Sequence, residues 1–232
     1  MAHPWPLFDL RLRTPRLELR LPTDDDLLAL LEVARAGIHD PTTSPFQVPW
    51  DELPSPAFER SFLLHWWVSR GSWKPETWVL TLAVIAGGRP IGIQDLMAKD
   101  FSHRRSVSSG SWLGQAYQAR GYGTEMRAAV LWLAFECLGA RVVESGYLAG
   151  NQASEGVSTK LGYVPNGEGI VVPRGEPLTE HLVRATRETW RRDLVRVTIE
   201  NLEPCLGLFG VGELAPSEWS QRRVSGRGPN AP

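Results

Sequence analysis

An α/β fold, with a mixed sheet covered by helices on both faces, is what this chain predicts, and three observations carry the prediction. Strand-like and helix-like segments mix in the first half and alternate in the second, which is the order of a sheet covered on two sides. A long hairpin signal, "TWVLTLAVIAGGRPIGIQDLMAKD", places Gly87 and Gly88 between two strand-like runs, with Pro90 closing the turn. Finally, "GSWLGQAYQARGYGTEMRAAVLW" starts as a strand, breaks over a glycine-rich turn and becomes a helix.

The elements follow in order. "RLELRLP" alternates apolar and polar residues as a half-buried strand does. Thr23 or Asp24 then caps a helix over "DDLLALLEVA", whose start carries Asp24, Asp25 and Asp26, charges that suit a helix N-terminus. "GIHDPTTSPFQVPW" is dense in turn formers and reads as a loop. Apolar spacing predicts a second helix over roughly Ala57 to Arg70. After the hairpin, "SVSSGSWLG" supplies another strand. Beyond the glycine turn, Met126, Ala129, Val130, Leu133 and Cys137 fall at helical spacing. "RVVESGYLA" is rich in β-branched residues and predicts a strand. "ASEGVSTKLGY" predicts a short helix with Gly162 just past its end. "HLVRATRETWRRD" reads as a strand passing into a short helix, and "VRVTIENL" as a late strand. One domain over 1–215 and a flexible tail over 216–232 are expected.

Composition narrows the functions. Net charge is −1, so no strong field favours nucleic acid or an anionic membrane. Two cysteines, Cys137 and Cys205, make neither a disulfide framework nor a metal cluster, and suit a reducing compartment. The opening "MAHPWPLFDL" lacks the pattern of a secretory signal, and no apolar run has the length of a membrane span. A cytoplasmic protein without a metal is the expectation. Of the ten tryptophans, Trp50, Trp66, Trp67, Trp73 and Trp78 crowd the first half. Two readings stand: core packing with a dimer face, or an aromatic-walled acceptor pocket.

The turn "QARGYGT" carries the chemistry. The first N–H groups of a helix have no intrahelical partner and, with the helix dipole, form a site for an anion such as phosphate. Gly121 and Gly123 keep side chains away from those amides, and Arg120 adds a charged donor. A P-loop is excluded because no lysine followed by Ser or Thr comes after the last glycine. A dinucleotide fingerprint fails because Met126 stands where a third small residue belongs. A ligand-free strand-to-helix turn is the alternative.

Gln118-x-x-Gly121-x-Gly123 after a strand and before a helix resembles the acyl-coenzyme A signature of the GNAT superfamily of N-acetyltransferases. "NQASEGVSTKLGY" and "TPRLELRLPTDDDLLALL" resemble segments of the branch that acetylates ribosomal-protein N-termini, so the likeness runs from about Leu12 to Trp190. "WPLFDLRLRTPRL", "PFQVPW", "GSWLG" and "GYGTEMRAAVL" look like an actinobacterial subgroup that includes succinyl-CoA users. The resemblance implies a GNAT fold whose sheet splits between two parallel strands, with pantetheine in the split against the backbone of Trp112 and Leu113. Pyrophosphate would rest on the amides of Arg120, Gly121, Tyr122, Gly123 and Thr124. Asn151 would bond the pantetheine arm, with Ser154 beside it, although Asn151 also reads as a plain helix cap.

The implied reaction moves an acetyl or succinyl group from a coenzyme A thioester to a primary amine, on a small molecule or at a protein N-terminus or lysine. A non-catalytic acyl-CoA sensor is the alternative function. Attack needs a neutral amine and an oxyanion donor, such as a strand amide near Leu113. Where many relatives have glutamate and tyrosine, this chain has Ser108 and Ser158. Ser158 remains a donor to sulfur or an ordinary helix serine. Asp95 is a candidate base or a solvated hairpin carboxylate, and His39 a base or a turn cap. His103, Arg104 and Arg105 of "KDFSHRR" would bind a succinyl carboxylate, or form a solvated face. The aromatic cluster makes a homodimer plausible.

Overall fold

The computed structural model describes residues 3–41, 43 and 45–212, so the tail expected over 216–232 lies outside the described residues. Their strands form one sheet of nine. β1 (Arg11–Arg13) and β2 (Leu17–Arg20) precede α1 (Asp24–Arg35) and α2 (Ala57–Gly71). The hairpin follows as β3 (Thr77–Ala86) and β4 (Arg89–Lys99), then a single turn α3 (Phe101–Arg104) and β5 (Ser106–Leu113). α4 (Tyr122–Trp132) leads through a π-turn over Leu133–Cys137 to β6 (Val142–Leu148) and α5 (Gln152–Leu161). β7 (Val164–Val171), β8 (Leu178–Thr186) and β9 (Thr198–Glu200) complete the order. Across the sheet the strands run β7-β8-β6-β5-β4-β3-β2-β1-β9. β5 and β6 pair parallel, and the remaining neighbours pair antiparallel.

Local chemistry explains the ends. Thr23 caps α1 by accepting from the Asp26 N–H, while Asp26 accepts from the Thr23 N–H at 2.8 Å, a reciprocal capping box. Gly162 closes α5 in the left-handed region, φ 86°. The alternating pattern of the hairpin strands divides their side chains between two faces. On one face, Ala83, Ile85 and Ile93 meet Leu27, Leu30 and Leu31 of α1 and Phe58, Phe62 and Trp66 of α2. On the other, Leu80, Leu82, Val84 and Leu96 join Met126, Ala129, Val130 and Leu133 of α4 and its extension.

The tryptophans serve chiefly as packing. Trp66 and Trp78 are fully buried, and Trp73 stacks on Trp78 with ring centres 5.8 Å apart. Trp50 packs between Phe58, Phe62 and Trp112, whereas Trp67 is exposed.

The last third holds one element the sequence reading assigns to nothing and one expectation that needs correction. β7 lies over "VPNGEGIV". It is an edge strand paired on one side to β8, where Pro165, Gly167 and Gly169 are tolerated because the outer backbone needs no partner. The short helix expected at the end of "HLVRATRETWRRD" does not form. β8 ends at Thr186, Trp190 turns back to bury its ring against Phe135 at 5.1 Å, and one 3-10 turn spans Arg192–Leu194.

Candidate active site

The parallel pairing of β5 with β6 covers Ser106, Val107 and Ser108 opposite Val142, Val143 and Glu144, and then stops. β5 continues to Leu113 beside β4, and β6 to Leu148 beside β8, so the two strands part. A cavity of about 1100 Å³ opens there, walled by both strands, by α4 and α5, and by the loop around Phe46 and Gln47.

Strand alternation identifies which backbone groups face the gap. Arg105 O accepts from Arg141 N at 2.7 Å and Ser109 O from the Ser145 hydroxyl at 3.1 Å, both on the β6 side. Gly114 N points the other way, to Ile91 O at 2.9 Å. With a period of two, Ser111 and Leu113 present N–H and C=O to the gap, and Trp112 presents its own to β4. The expectation that Trp112 offers backbone to a ligand is therefore corrected: its backbone completes the β4 ladder, and its ring lines the cavity. By the same alternation the Leu113 N–H faces the gap, while its carbonyl accepts from Gln118 Nε2 at 2.8 Å.

That same Gln118 nitrogen donates to Ile38 O at 2.7 Å, so the side chain ties the end of β5 to the segment after α1. Gln118 holds the turn's shape. Ala119 and Gly121 take positive φ, 58° and 82°, and α4 starts at once, Glu125 N being the first to reach back, to Gly121 O at 3.2 Å. The amides of Tyr122, Gly123 and Thr124 thus open the helix without intrahelical acceptors. The two glycines do different work. A Cβ on Gly121 would meet Arg16 Nη2 at 3.2 Å on the outer side, so that position answers the left-handed dihedral. Gly123 lines the cavity, and its Cβ would meet Val157 of α5 at 3.3 Å.

Arg16, which sequence reasoning missed, clamps the turn from outside. Its guanidinium bonds the buried Glu125 carboxylate twice at 2.7 Å, donates to Arg120 O at 2.9 Å and lies 4.6 Å from the Tyr122 ring centre. Arg120 itself is exposed at the rim.

On the α5 side, Asn151 Oδ1 accepts from Ser154 N at 3.1 Å, so the cap reading holds, and both residues also line the cavity. Ser158 as a proton donor is corrected. It is buried off the cavity wall, its hydroxyl donates to Ser154 O at 3.0 Å, and its oxygen accepts from Arg127 Nη1 at 3.2 Å. Arg127 is a second residue the sequence reading passed over. It is 4% exposed yet lines the cavity, and Nη2 donates to the Ser111 hydroxyl at 3.2 Å. Its helical stripe, shared with Gly123 four residues earlier, was the available signal.

The opposite face of the sheet carries carboxylates. Glu144 and Glu180 line the cavity, the latter accepting from Gln47 Nε2 at 2.6 Å. Gly146 makes room for Glu180, whose Oε1 would stand 2.5 Å from a Cβ there. Asp95 lies one layer back. It pairs with Gly110, whose missing side chain leaves Asp95 Oδ2 3.9 Å from where a Cβ would be. Burial pushes its carboxyl up to about 7, against the weaker opposite pull of the Thr81 hydroxyl, so the solvated reading is corrected. Asp95 Oδ1 has no partner among the described residues. His39 lines the cavity, and its ring is tied within the protein, with Nδ1 2.7 Å from Asp40 O and Nε2 2.8 Å from Asp51 Oδ2. His103, Arg104 and Arg105 sit at the closed end of the β5–β6 pair, before β5 begins, and are absent from the cavity walls.

Among the described residues, no group of three or more His, Cys, Asp or Glu side chains could hold a metal, and no helix is long and apolar enough to cross a membrane.

Comparison with known proteins places this geometry. The acetyltransferase (GNAT) domain family matches residues 16–164. A GNAT-family acetyltransferase from Bacillus anthracis superposes with a TM-score of 0.61 at 16% identity, covering 77% of this chain and 99% of that one. Mycobacterium smegmatis RimJ in complex with CoA-disulfide does so with 0.60 at 17% identity, over 79% and 90%. RimL, a ribosomal L7/L12 α-N-protein acetyltransferase in complex with coenzyme A, gives 0.59 at 14% identity, over 75% and 95%.

Proposed function

Since the chain belongs to the acetyltransferase (GNAT) domain family, we propose that it transfers an acetyl group from acetyl-CoA to a primary amine carried on a peptide or a small molecule. The observation that carries this reading is the split between β5 and β6, with a helix N-terminus at its edge and gap-facing backbone groups along one wall. Pyrophosphate would rest on the amides of Tyr122, Gly123 and Thr124, with Arg120 reaching it from the rim. Pantetheine would lie along Ser111 and Leu113, opposite Asn151 and Ser154. That RimL and RimJ, which share this fold, are found in complex with coenzyme A or its disulfide supports coenzyme A as the ligand class.

Each residue then has a task. The thioester carbonyl reaches through the split toward the carboxylate-bearing face, where Glu144 and Glu180 attract an ammonium. The amine must lose a proton before attack. Asp95 takes it through water across Gly110, its raised pKa placing it near the working pH. The gap-facing N–H of Ser111 or Leu113 stabilises the tetrahedral oxyanion. Succinyl-CoA draws no support from Arg104 and Arg105, which lie at the closed end.

The test is calorimetric titration with coenzyme A, followed by thiol release from acetyl-CoA and succinyl-CoA against N-terminal peptides and small amines. Binding with turnover on acetyl-CoA is expected. No binding of coenzyme A overturns the reading. Binding without turnover across the panel favours an acyl-CoA sensor.

A further inference from the structure

Arg127 has no task in the scheme above, and its surroundings are unusual for a cation. It is buried among hydroxyls, Ser111 at 3.2 Å and Ser158 at 3.2 Å, and no salt bridge reaches it among the described residues. Its Nε is buried without an acceptor among them. Burial lowers its pKa. A guanidinium nevertheless keeps its proton, so the fold carries a nearly bare positive charge in the wall of the cavity. Isolated buried charges are costly and persist where something repays them.

The chemistry of an acyl-CoA offers one matching anion. The phosphates are charged throughout, but they belong at the start of α4. Arg127 stands a full helical turn further in, bonded to Ser111 on the gap-facing edge of β5. The pantetheine arm is neutral. Sulfur becomes negative only when the acyl group leaves. We infer that Arg127 is a catalytic residue that receives the departing sulfur as a thiolate, a role resting on the acyl-CoA reading of this cavity.

The step balances simply. The amine nitrogen bonds to the thioester carbon while its proton passes to the base. The C–S bond then breaks, and its electron pair stays on sulfur beside the guanidinium until solvent protonates the thiolate to the free thiol. Tyr163, the titratable group whose charge Arg127 feels, has its phenol raised by burial and contacts Ser109 at 3.4 Å, so it stays neutral and donates no proton at working pH.

The test measures the titration of the coenzyme A thiol bound to the parent, Arg127→Met, Arg127→Lys and Tyr163→Phe, by thiolate absorbance, together with affinity and steady-state rates. In the parent the bound thiol is expected to ionise about one unit below free coenzyme A. Arg127→Met, an apolar near-isostere, is expected to remove that shift while binding coenzyme A within about threefold and losing roughly 30-fold in kcat at nearly constant KM. Arg127→Lys should recover part of the shift, and Tyr163→Phe should leave it intact. An unshifted thiol in the parent overturns the inference on its own, whether or not the Met variant folds. So does equal titration in parent and Arg127→Met, or a change confined to succinyl-CoA preference, which would make the acyl carboxylate the partner. Failure of the parent to bind coenzyme A overturns both this inference and the reading beneath it.

Discussion

Asp95 shows how much a single side chain can carry. Its carboxyl, raised to about 7 by burial, still holds a proton at pH 5, where an unfolded aspartate has largely lost it. Between the ordinary carboxylate value and about 7 the folded chain therefore binds the extra proton, and stability falls as pH rises through that window. Asp95→Asn should remove the trend, gaining up to about 3 kcal/mol relative to the parent at pH 8 and almost nothing at pH 4, as read from denaturant melts. The same variant should flatten the rise of kcat near pH 7. An unaltered profile would reassign the base, with Glu144 and Glu180 next in line. Asp95 was found in the sequence by its strand, but its poise was not, because it depends on the burial that the assembled fold imposes. Glu144, Glu180 and Arg127 were passed over for a related reason. Nothing local distinguishes a charge on a cavity wall from one in solvent until β6, β8 and α4 are brought together.

At the scale of elements, the glycine turn and its helix were legible because strand, turn and helix are contiguous in the chain. The buttress was not, because Arg16 and Glu125 lie 109 residues apart. Glu125 is buried while the Arg16 side chain is 48% exposed, and Glu125 keeps the Thr14 hydroxyl and the Arg16 N–H when the guanidinium is removed, so the loss is only partly compensated. Arg16→Met should cost about 1–2 kcal/mol in unfolding free energy and weaken coenzyme A binding about tenfold, since it frees Arg120 O and loosens the turn. The capping box gives a contrasting control. Thr23→Ala should cost about 1 kcal/mol and leave coenzyme A affinity alone, because α1 lies on the face away from the phosphate turn. Burial alone would raise Asp26, but donation from Arg20 and Thr23 outweighs it and holds the carboxyl below its ordinary range. The stability this supplies is present above the unfolded value and is lost as pH falls through the lowered one. Edge strand β7 stayed illegible because proline and glycine argue against a strand everywhere except at an unpaired border.

For the molecule as a whole, both ends of the described chain meet at one side of the sheet. β9 pairs with β1, and Phe209 sits 4.9 Å from the Trp78 ring and 5.6 Å from Trp73. Phe209→Ala should lower the unfolding free energy by about 4 kcal/mol while sparing coenzyme A affinity, as that cluster lies beyond β4 from the split. The α/β class and its helices on both faces were readable from periodicity. The late strand expected in "VRVTIENL" forms as β9, whereas the run of 3-10 turns over Glu203–Phe209 leaves no period to detect.

The two portions of the sheet are stitched by three residue pairs only, Ser106 to Ser108 against Val142 to Glu144. Such a short seam concentrates mechanical weakness at the catalytic centre, so amides flanking it should exchange with deuterium sooner than those of the β3–β4 hairpin. An occupant laid between the parted strands would lengthen the stitching from one side, which makes each round of catalysis also a cycle of fastening and release.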